Sequence, residues 1–505
     1  MLAAEIQFKH SKVSTQFSFF LNLCLLPNSS QIIAVHINNG FMRKVCDENE
    51  SESVVRALEH IGLKIHLVDA RERFYQGRTD INGEMTPPLN TVTSPEVKRK
   101  IIGDVFMRVS EEELRKLGLN PSEVYLAQGT LRPDLIESAS ALASSGGHAD
   151  VIKTHHNDTA LVRALRESGR IIEPLKTLHK DEVRQLGLEL GLPSHLIWRQ
   201  PFPGPGLAVR IICATHPYVT GEEEKIKEAL ERYVTPDINV SLLACRTVGV
   251  QGDSRSYSSL VALSSRRQPA AHDLSPNWHS LFHLAKTIPR TVHGVNRVVY
   301  VFGEPLTQRE YRTITPTLLN EECIQQLQAA DDIVNQTLLK YGLIKTLSQV
   351  PVILFPIDFQ QPSDADSADA SSSVSNVGKR SICIRTFVTN DFMTGVPAIP
   401  VIDEQHTKAE AAASPSPSPT PSLDSFTSSS SSSFAAPTTH SKPNDALDIL
   451  TVPIPSRPSL SSPRFPTMPL VALQEMVTLI LEKVPGIARV CFDLTSKPPA
   501  TTEWE

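Results

Sequence analysis

Between Gln31 and Gln200 the chain alternates short β-branched runs with amphipathic stretches, and that order leaves few folds open. Ile32–Ile37 is a strand-like run that ends on the turn signal Asn38-Asn39-Gly40. Val54, Val55, Leu58 and Ile61 then form one apolar stripe, stopped by Gly62 at a helix C-terminal position. A second strand is expected over Lys64–Val68. Ser94-Pro95-Glu96 opens a helix with a cap, a first-turn proline and an acid that complements the helix dipole. Val124–Ala127 reads as the next strand and Val151-Ile152 as another. Asp181–Gly191 reads as a helix with Val183, Leu186 and Leu190 on one face and Pro193 beyond its end. Strand and helix in repetition call for a parallel sheet covered on both faces, the architecture of a nucleotide-handling α/β domain.

The length of 505 residues makes room for about three to four domains. A net charge of −6 argues against sequence-independent nucleic-acid binding, which needs a basic excess. The seven cysteines lie at least 22 residues apart, so neither a zinc knuckle nor a disulfide scaffold is expected, and a reduced intracellular protein is. No apolar run reaches the ~18 residues of a membrane span. Lys9 and Lys12 before the apolar Phe17–Leu26 mimic a signal peptide, but only Pro27-Asn28-Ser29-Ser30 follows, without a small-x-small cleavage site.

Pro201-Phe202-Pro203-Gly204-Pro205-Gly206 fits neither helix nor central strand and reads as a stiff junction. Beyond it is a weak internal repeat. Ile288-Pro289-Arg290 with Gly294–Tyr300 and Gly303-Glu304-Pro305 matches Val484–Asp493 with Lys497-Pro498-Pro499. The strands beginning at Thr247 and Ile382 are expected to pair with these copies, making two related α+β units. Two low-complexity inserts interrupt the second unit. One is Gln361–Gly378; the other, residues 411–462, holds 16 Ser and 9 Pro and cannot build a core.

Four motifs carry chemical interest. Val124–Ser138 brings Gln128-Gly129-Thr130 to the carboxyl end of a strand, where open α/β sheets bind ligands. Arg132 beside the following helix start suits an anion, the alternative being a tight turn with an ordinary exposed arginine. Val151–Asp158 contains His155 and His156, which as neighbours point apart and chelate poorly, so no metal site is expected. A polar loop capping the next helix and a phosphate-contacting loop led by Lys153 both remain open. Lys98-Arg99-Lys100 reads as a solvated helix face, with a polyphosphate contact as the sharper alternative. The tail Lys497-Pro498-Pro499 to Glu505 reads as frayed by composition, or as docked through its prolines and Trp504.

Together these stretches resemble the eukaryotic glutamine-hydrolysing GMP synthetases. The resemblance is carried by AVHINNGFMRK (34–44), SPEVKRKIIGDVF (94–106), AQGTLRPDLIES (127–138), IKTHHNDT (152–159) and PFPGPGLAVRII (201–212). TVGVQGDSRSYS (247–258), NRVVYVFG (296–303), RTFVTNDFMTG (385–395) and DLTSKPPATTEWE (493–505) continue it. It runs from about Gln31 to the C-terminus, apart from the inserts and a divergent stretch near 214–244. It implies a parallel-sheet ATP pyrophosphatase domain of adenine nucleotide alpha hydrolase type over 31–200, after a divergent 1–30. A duplicated α+β dimerisation domain should follow, as 201–360 and then 379–403 with 463–505, with inserts at 361–378 and 404–462.

The chemistry implied is adenylylation of the O2 of xanthosine monophosphate (XMP) by ATP with magnesium, then amination by ammonia from glutamine. A cytosolic enzyme, a homodimer in its family, without nucleic-acid or membrane partners, is the expectation. By position, Arg132, Asp253, Gln349, Lys497 and Glu503 resemble the family's XMP contacts. Ile37, Gly40 and Gly129 resemble its ATP pocket, and Lys153, His155, His156 and Asn157 its lid over ATP.

Three departures accompany the likeness. The family's Ser-Gly-Gly-Val-Asp-Ser phosphate loop should precede the Ile32 strand, yet no glycine or aspartate lies between Ser11 and Ser30. No Gly-x-Cys-x-Gly nucleophile elbow for glutamine hydrolysis occurs. Asn38 stands where the family typically has aspartate. The abrupt onset of likeness near Gln31 points to truncation or a displaced start. The expectation is a fragment that binds XMP but turns over poorly, the alternative being an inert XMP-binding, dimerising module.

Overall fold

The computed structural model describes all residues except 1–2, 9–31, 46–47, 61–63, 119–123, 128, 133–167, 252–253, 267–275, 360–378, 390–393 and 403–465. The Val151-Ile152 strand, the lid residues and both inserts fall outside the described residues. Residues 402–465 form a unit of their own; everything below concerns the other unit.

Its first layer is the parallel sheet that the alternation demands. The strands are β1 (Ala3–Phe8), β2 (Ile32–Asn38), β3 (Ile65–Asp69), β4 (Val124–Ala127) and β5 (Ile171–Ile172), in the order β3-β2-β1-β4-β5. Every pairing is parallel. The segment expected only to diverge therefore supplies the central strand, with Ala4–Phe8 opposite Ile32–His36. Helices α1 (Glu50–His60), α2 (Pro95–Lys116) and α3 (Lys180–Glu189) flank the sheet and begin and end close to their sequence signals. Val35 and Ile37 pack with Ile101, Ile102 and Val105 of α2, whereas Ala34 packs with Leu58 of α1 and Val183 of α3. Alternate residues of β2 thus face opposite helical layers.

The second sheet has seven strands: β6 (Ile238–Gln251), β7 (Ser254–Ser265), β8 (Val295–Val301), β9 (Glu310–Tyr311), β10 (Val352–Phe355), β11 (Arg380–Ile384) and β12 (Ile487–Asp493). Their order is β9-β6-β7-β8-β12-β11-β10. Helices α4 (Glu223–Glu231), α5 (Trp278–Thr291), α6 (Glu321–Lys340) and α7 (Leu470–Lys483) complete two successions of one kind, α4-β6-β7-α5-β8 and α6-β10-β11-α7-β12. In each, a hairpin is followed by a crossover helix and a parallel strand, and the two last strands meet antiparallel at Tyr300 opposite Phe492. Ile382 pairs beside β12 as the repeat predicts. Thr247 does not pair beside β8: β7, whose serines hid its apolar alternation, lies between.

Alternation sorts this core. Val298, Tyr300, Ile382, Ile384, Val490 and Phe492 meet the stripes of the helices, among them Leu281, Ala285 and Ile288 of α5 and Leu473, Met476 and Ile480 of α7. Val299, Val301, Ile353, Phe355, Cys383 and Cys491 face the other way and are covered by Trp504. The tail is therefore docked, not frayed. Trp504 is fully buried, its indole Nε1 donates to Asp493 at 3.0 Å, and Val248 N donates to the Trp504 carbonyl at 2.8 Å. Burial of an indole outweighs the tendency of a terminus to fray.

Candidate functional site

Two sets of expected residues come together, at different places. The first lies at the carboxyl edge of the parallel sheet. Ile37 closes β2 as a buried side chain, and the chain then turns through Gly40 at φ +85°. Asn38 Oδ1 accepts the Gly40 N–H at 3.0 Å, so the residue standing in place of aspartate stabilises a turn. A β-carbon on Gly40 would lie 2.7 Å from the Tyr75 hydroxyl, which donates to the Gly40 carbonyl. Two strands away, β4 delivers Gly129 and Arg132 to the same edge, Arg132 exposed with its backbone N–H on the Leu178 carbonyl at 3.1 Å. The end of β1 lies between these groups, where a phosphate loop would follow. Residues 9–30 contain no glycine or aspartate, so this sequence does not fit the cradle that ATP phosphates require, and no step is routed through them.

The second set gathers at the docked tail. Gln349 is buried, pairs its backbone with Phe387, and points its Nε2 at the Pro201 carbonyl (3.3 Å) and at Glu503 Oε1 (3.4 Å). Arg210 grips the Glu503 carboxylate with both arms of its fork, Nε at 3.0 Å and Nη2 at 3.1 Å. Lys497 is held by a reciprocal backbone pair with Gly395, at 2.8 and 3.0 Å, and its side chain is half-buried. Asp253 falls outside the described residues, as do Lys153, His155, His156 and Asn157.

Behind Glu503 is a buried charge network that spacing alone could not reveal. Arg210 also faces Asp331 at 3.6 Å, and Arg43 faces Asp331 at 3.3 Å. Arg199 pairs with Glu50. Three guanidinium groups meet three carboxylates, and Phe202 of the proline-rich run packs under two of the cations, 4.3 Å from Arg43 and 5.4 Å from Arg210. Burial pushes the Arg210 guanidinium down, but Glu503 and Asp331 outweigh it and hold its pKa above the ordinary value. Glu503 keeps a side-chain exposure of 20%, so a fixed anion backed by a buried cation reaches the surface here. The loop from Gly40 to Arg43 joins the two places, because the Phe41 carbonyl accepts the Leu207 N–H at 2.7 Å.

Lys98 corrects the solvated-face and polyphosphate readings of its basic run. It is completely buried and donates to the carbonyls of Ala208 (3.1 Å) and Ile211 (3.0 Å) while pairing with Glu505. Lys100 alone of the three is exposed; Arg99 lies against Glu96 and Tyr257. No group of three His, Cys, Asp or Glu side chains converges as a cage among the described residues.

Comparison with known proteins finds relatives. The sequence pattern of the GMP synthase C terminal domain matches residues 459–504, which carry the docked tail. A glutamine-hydrolysing GMP synthase of Dictyostelium discoideum is 44% identical over 94% of this chain and 59% of its own length. A probable glutamine-hydrolysing GMP synthase of Caenorhabditis elegans is 36% identical over 96% of this chain and 61% of its own. The chain is similar to these GMP synthases over nearly its whole length. It spans less than two thirds of the length of these two GMP synthases. A Candida albicans GMP synthase matches 53% of the chain at 40% identity. No helix among the described residues is long and apolar enough to cross a membrane.

Proposed function

We propose that this chain carries the synthetase chemistry of GMP formation, acting on XMP at the docked tail with Glu503, Gln349 and Lys497, and with Arg132 contributing from the edge of the parallel sheet. In the family this chemistry is adenylylation of the XMP O2 by ATP and displacement of AMP by ammonia. The observation that supports the reading is the Glu503 carboxylate, fixed bidentately by a buried arginine with the Gln349 amide against it. A preorganised carboxylate accepts hydrogen bonds from the polar edge of a purine at little reorganisation cost, and an amide beside it discriminates donor from acceptor. Lys497 and Arg132 supply the cations for a nucleotide phosphate. The likeness over nearly the whole chain favours an enzyme over an inert XMP-binding module. A homodimer formed through the seven-stranded part, in the cytosol, completes the reading.

The test is pyrophosphate release by the purified chain with XMP, ATP, magnesium and excess ammonium, the last so that only synthetase chemistry is read. Slow XMP-dependent release is the expected result, because residues 9–30 lack the glycines of a phosphate loop. Silence with normal XMP binding would select the inert module, and a melting curve unmoved by saturating XMP would remove both readings. Lys497→Ala is expected to weaken XMP by about 1–3 kcal/mol in calorimetry, the size of a lost charge-assisted contact.

A further inference from the structure

Strand β6 breaks register with β7 between Leu243 and Arg246, so that Ala244 and Cys245 are left without partners in that ladder. Such irregularities re-aim side chains and open a strand locally. The freed Ala244 carbonyl accepts the Tyr218 N–H at 3.0 Å, pinning the strip that follows Ile212 against the opening. Between the strip, the break and the start of α2 lies a cleft of about 340 Å³, within the range of small-molecule sites. Cys213, His216, Tyr218, Arg246, Tyr257 and Glu505 line it, and none of the proposed XMP residues does. Part of its wall, Ala214–Val219, belongs to the stretch that departs from the family's motifs.

The charges there are unequal. Glu505 is committed to buried Lys98, and nearby Glu96 accepts from the Tyr257 hydroxyl at 2.7 Å. Arg246 has no carboxylate partner among the described residues; its guanidinium lies 5.7 Å from the Tyr218 ring centre and 5.5 Å from that of Tyr257. Both rings are themselves held, since the Tyr218 hydroxyl donates to the Tyr257 carbonyl at 3.3 Å. The cation is thus oriented by two fixed aromatic faces while its N–H groups are left for an acceptor. The thiols do not compete for that role: burial pushes Cys213 and Cys245 up to about 12, so they stand as neutral groups, poor as nucleophiles and as metal ligands.

We propose that this cleft is a second binding site, for a small phosphate monoester whose tetrahedral oxyanion pairs with Arg246. The fork of an arginine matches two phosphate oxygens, and the volume leaves room for the esterified group against the tyrosines. Inorganic phosphate and phenyl phosphate are the probes, titrated calorimetrically into the full chain. Phenyl phosphate is expected to bind more tightly than phosphate. Arg246→Gln should cost about tenfold or more in affinity for both, while Lys497→Ala leaves this binding in place. Unchanged isotherms in Arg246→Gln would overturn the site, and equal affinity for the two probes would overturn the monoester assignment. Hydrogen exchange on the unmutated chain gives an independent reading. Phenyl phosphate should protect residues 212–219 and 244–246, and no protection there would overturn the proposal even if the variant fails to fold.

Discussion

At the scale of single residues, the most consequential side chains are buried ions, and their surroundings decide what each contributes. Lys98 satisfies two carbonyls that terminate the turn after the proline-rich run, and it neutralises Glu505. Replacing it with methionine keeps the volume but leaves a buried carboxylate and two acceptors unanswered. Lys98→Met is expected to cost about 3–5 kcal/mol in urea unfolding, against the near-zero cost that a solvated lysine would give. Asp493 is the second case. Burial pushes it up, but Arg385 and Arg297 outweigh burial and hold its carboxyl below the usual carboxylate range. A depressed folded-state pKa stabilises above the unfolded value near ~4 and is lost as pH falls through the folded one. Stability should therefore decline below about pH 4, and Asp493→Asn should make that acid limb shallower; an identical slope in the variant would remove the assignment. Neither role was legible beforehand. A K-R-K run looks alike whether or not its first member is swallowed, and Asp493 acquires its arginines only once three strands are side by side.

At the scale of elements, local signals carried the first sheet well. Helix α2 starts at the predicted proline, and β2 through β4 lie where β-branched runs and turn residues placed them. What failed had a common cause. Strand β7 is rich in serine on a strand that the fold buries in mid-sheet, and β1 has no flanking turn chemistry to announce it. In both, tertiary pairing overrides composition. The proline-rich run was legible as a breaker, but its purpose was not. It brings Gly206, at φ +68°, so close to the loop after β2 that an added β-carbon would fall on the Phe41 carbonyl. Gly206→Ala combines that collision with an unfavourable backbone region. It is expected to destabilise by about 2–4 kcal/mol and to loosen the hydrogen bond from Leu207 to Phe41, which hydrogen exchange at Leu207 would record.

At the scale of the whole molecule, the docked tail ties the proposed XMP contacts to the second sheet's core. Lys497 and Glu503 are proposed from likeness alone, whereas Arg43, Arg210 and Asp331 could not be picked out from the sequence, because their numbers are scattered and only the fold assembles them. The anchor of that assembly is Trp504. It fills the face of the sheet opposite the helices, touching Phe355 at 5.7 Å between ring centres, with the Arg297 guanidinium 5.0 Å from its own ring. Because Glu503 precedes it and Lys497 lies seven positions before it, the indole sets where both proposed XMP contacts stand. Trp504→Ala should cost about 3–5 kcal/mol of stability through the cavity it leaves. If the tail is an anchored part of the site, XMP affinity should fall with it, by tenfold or more, under conditions where the variant is still folded. A second core truncation, Leu281→Ala on α5, supplies the control, since Leu281 is buried in the helix-side core cluster, which does not contain Trp504. It should lower stability and leave XMP binding as it was. Equal losses of affinity in both variants would mean that XMP senses only overall stability, and the coupling argued from Trp504 would fall.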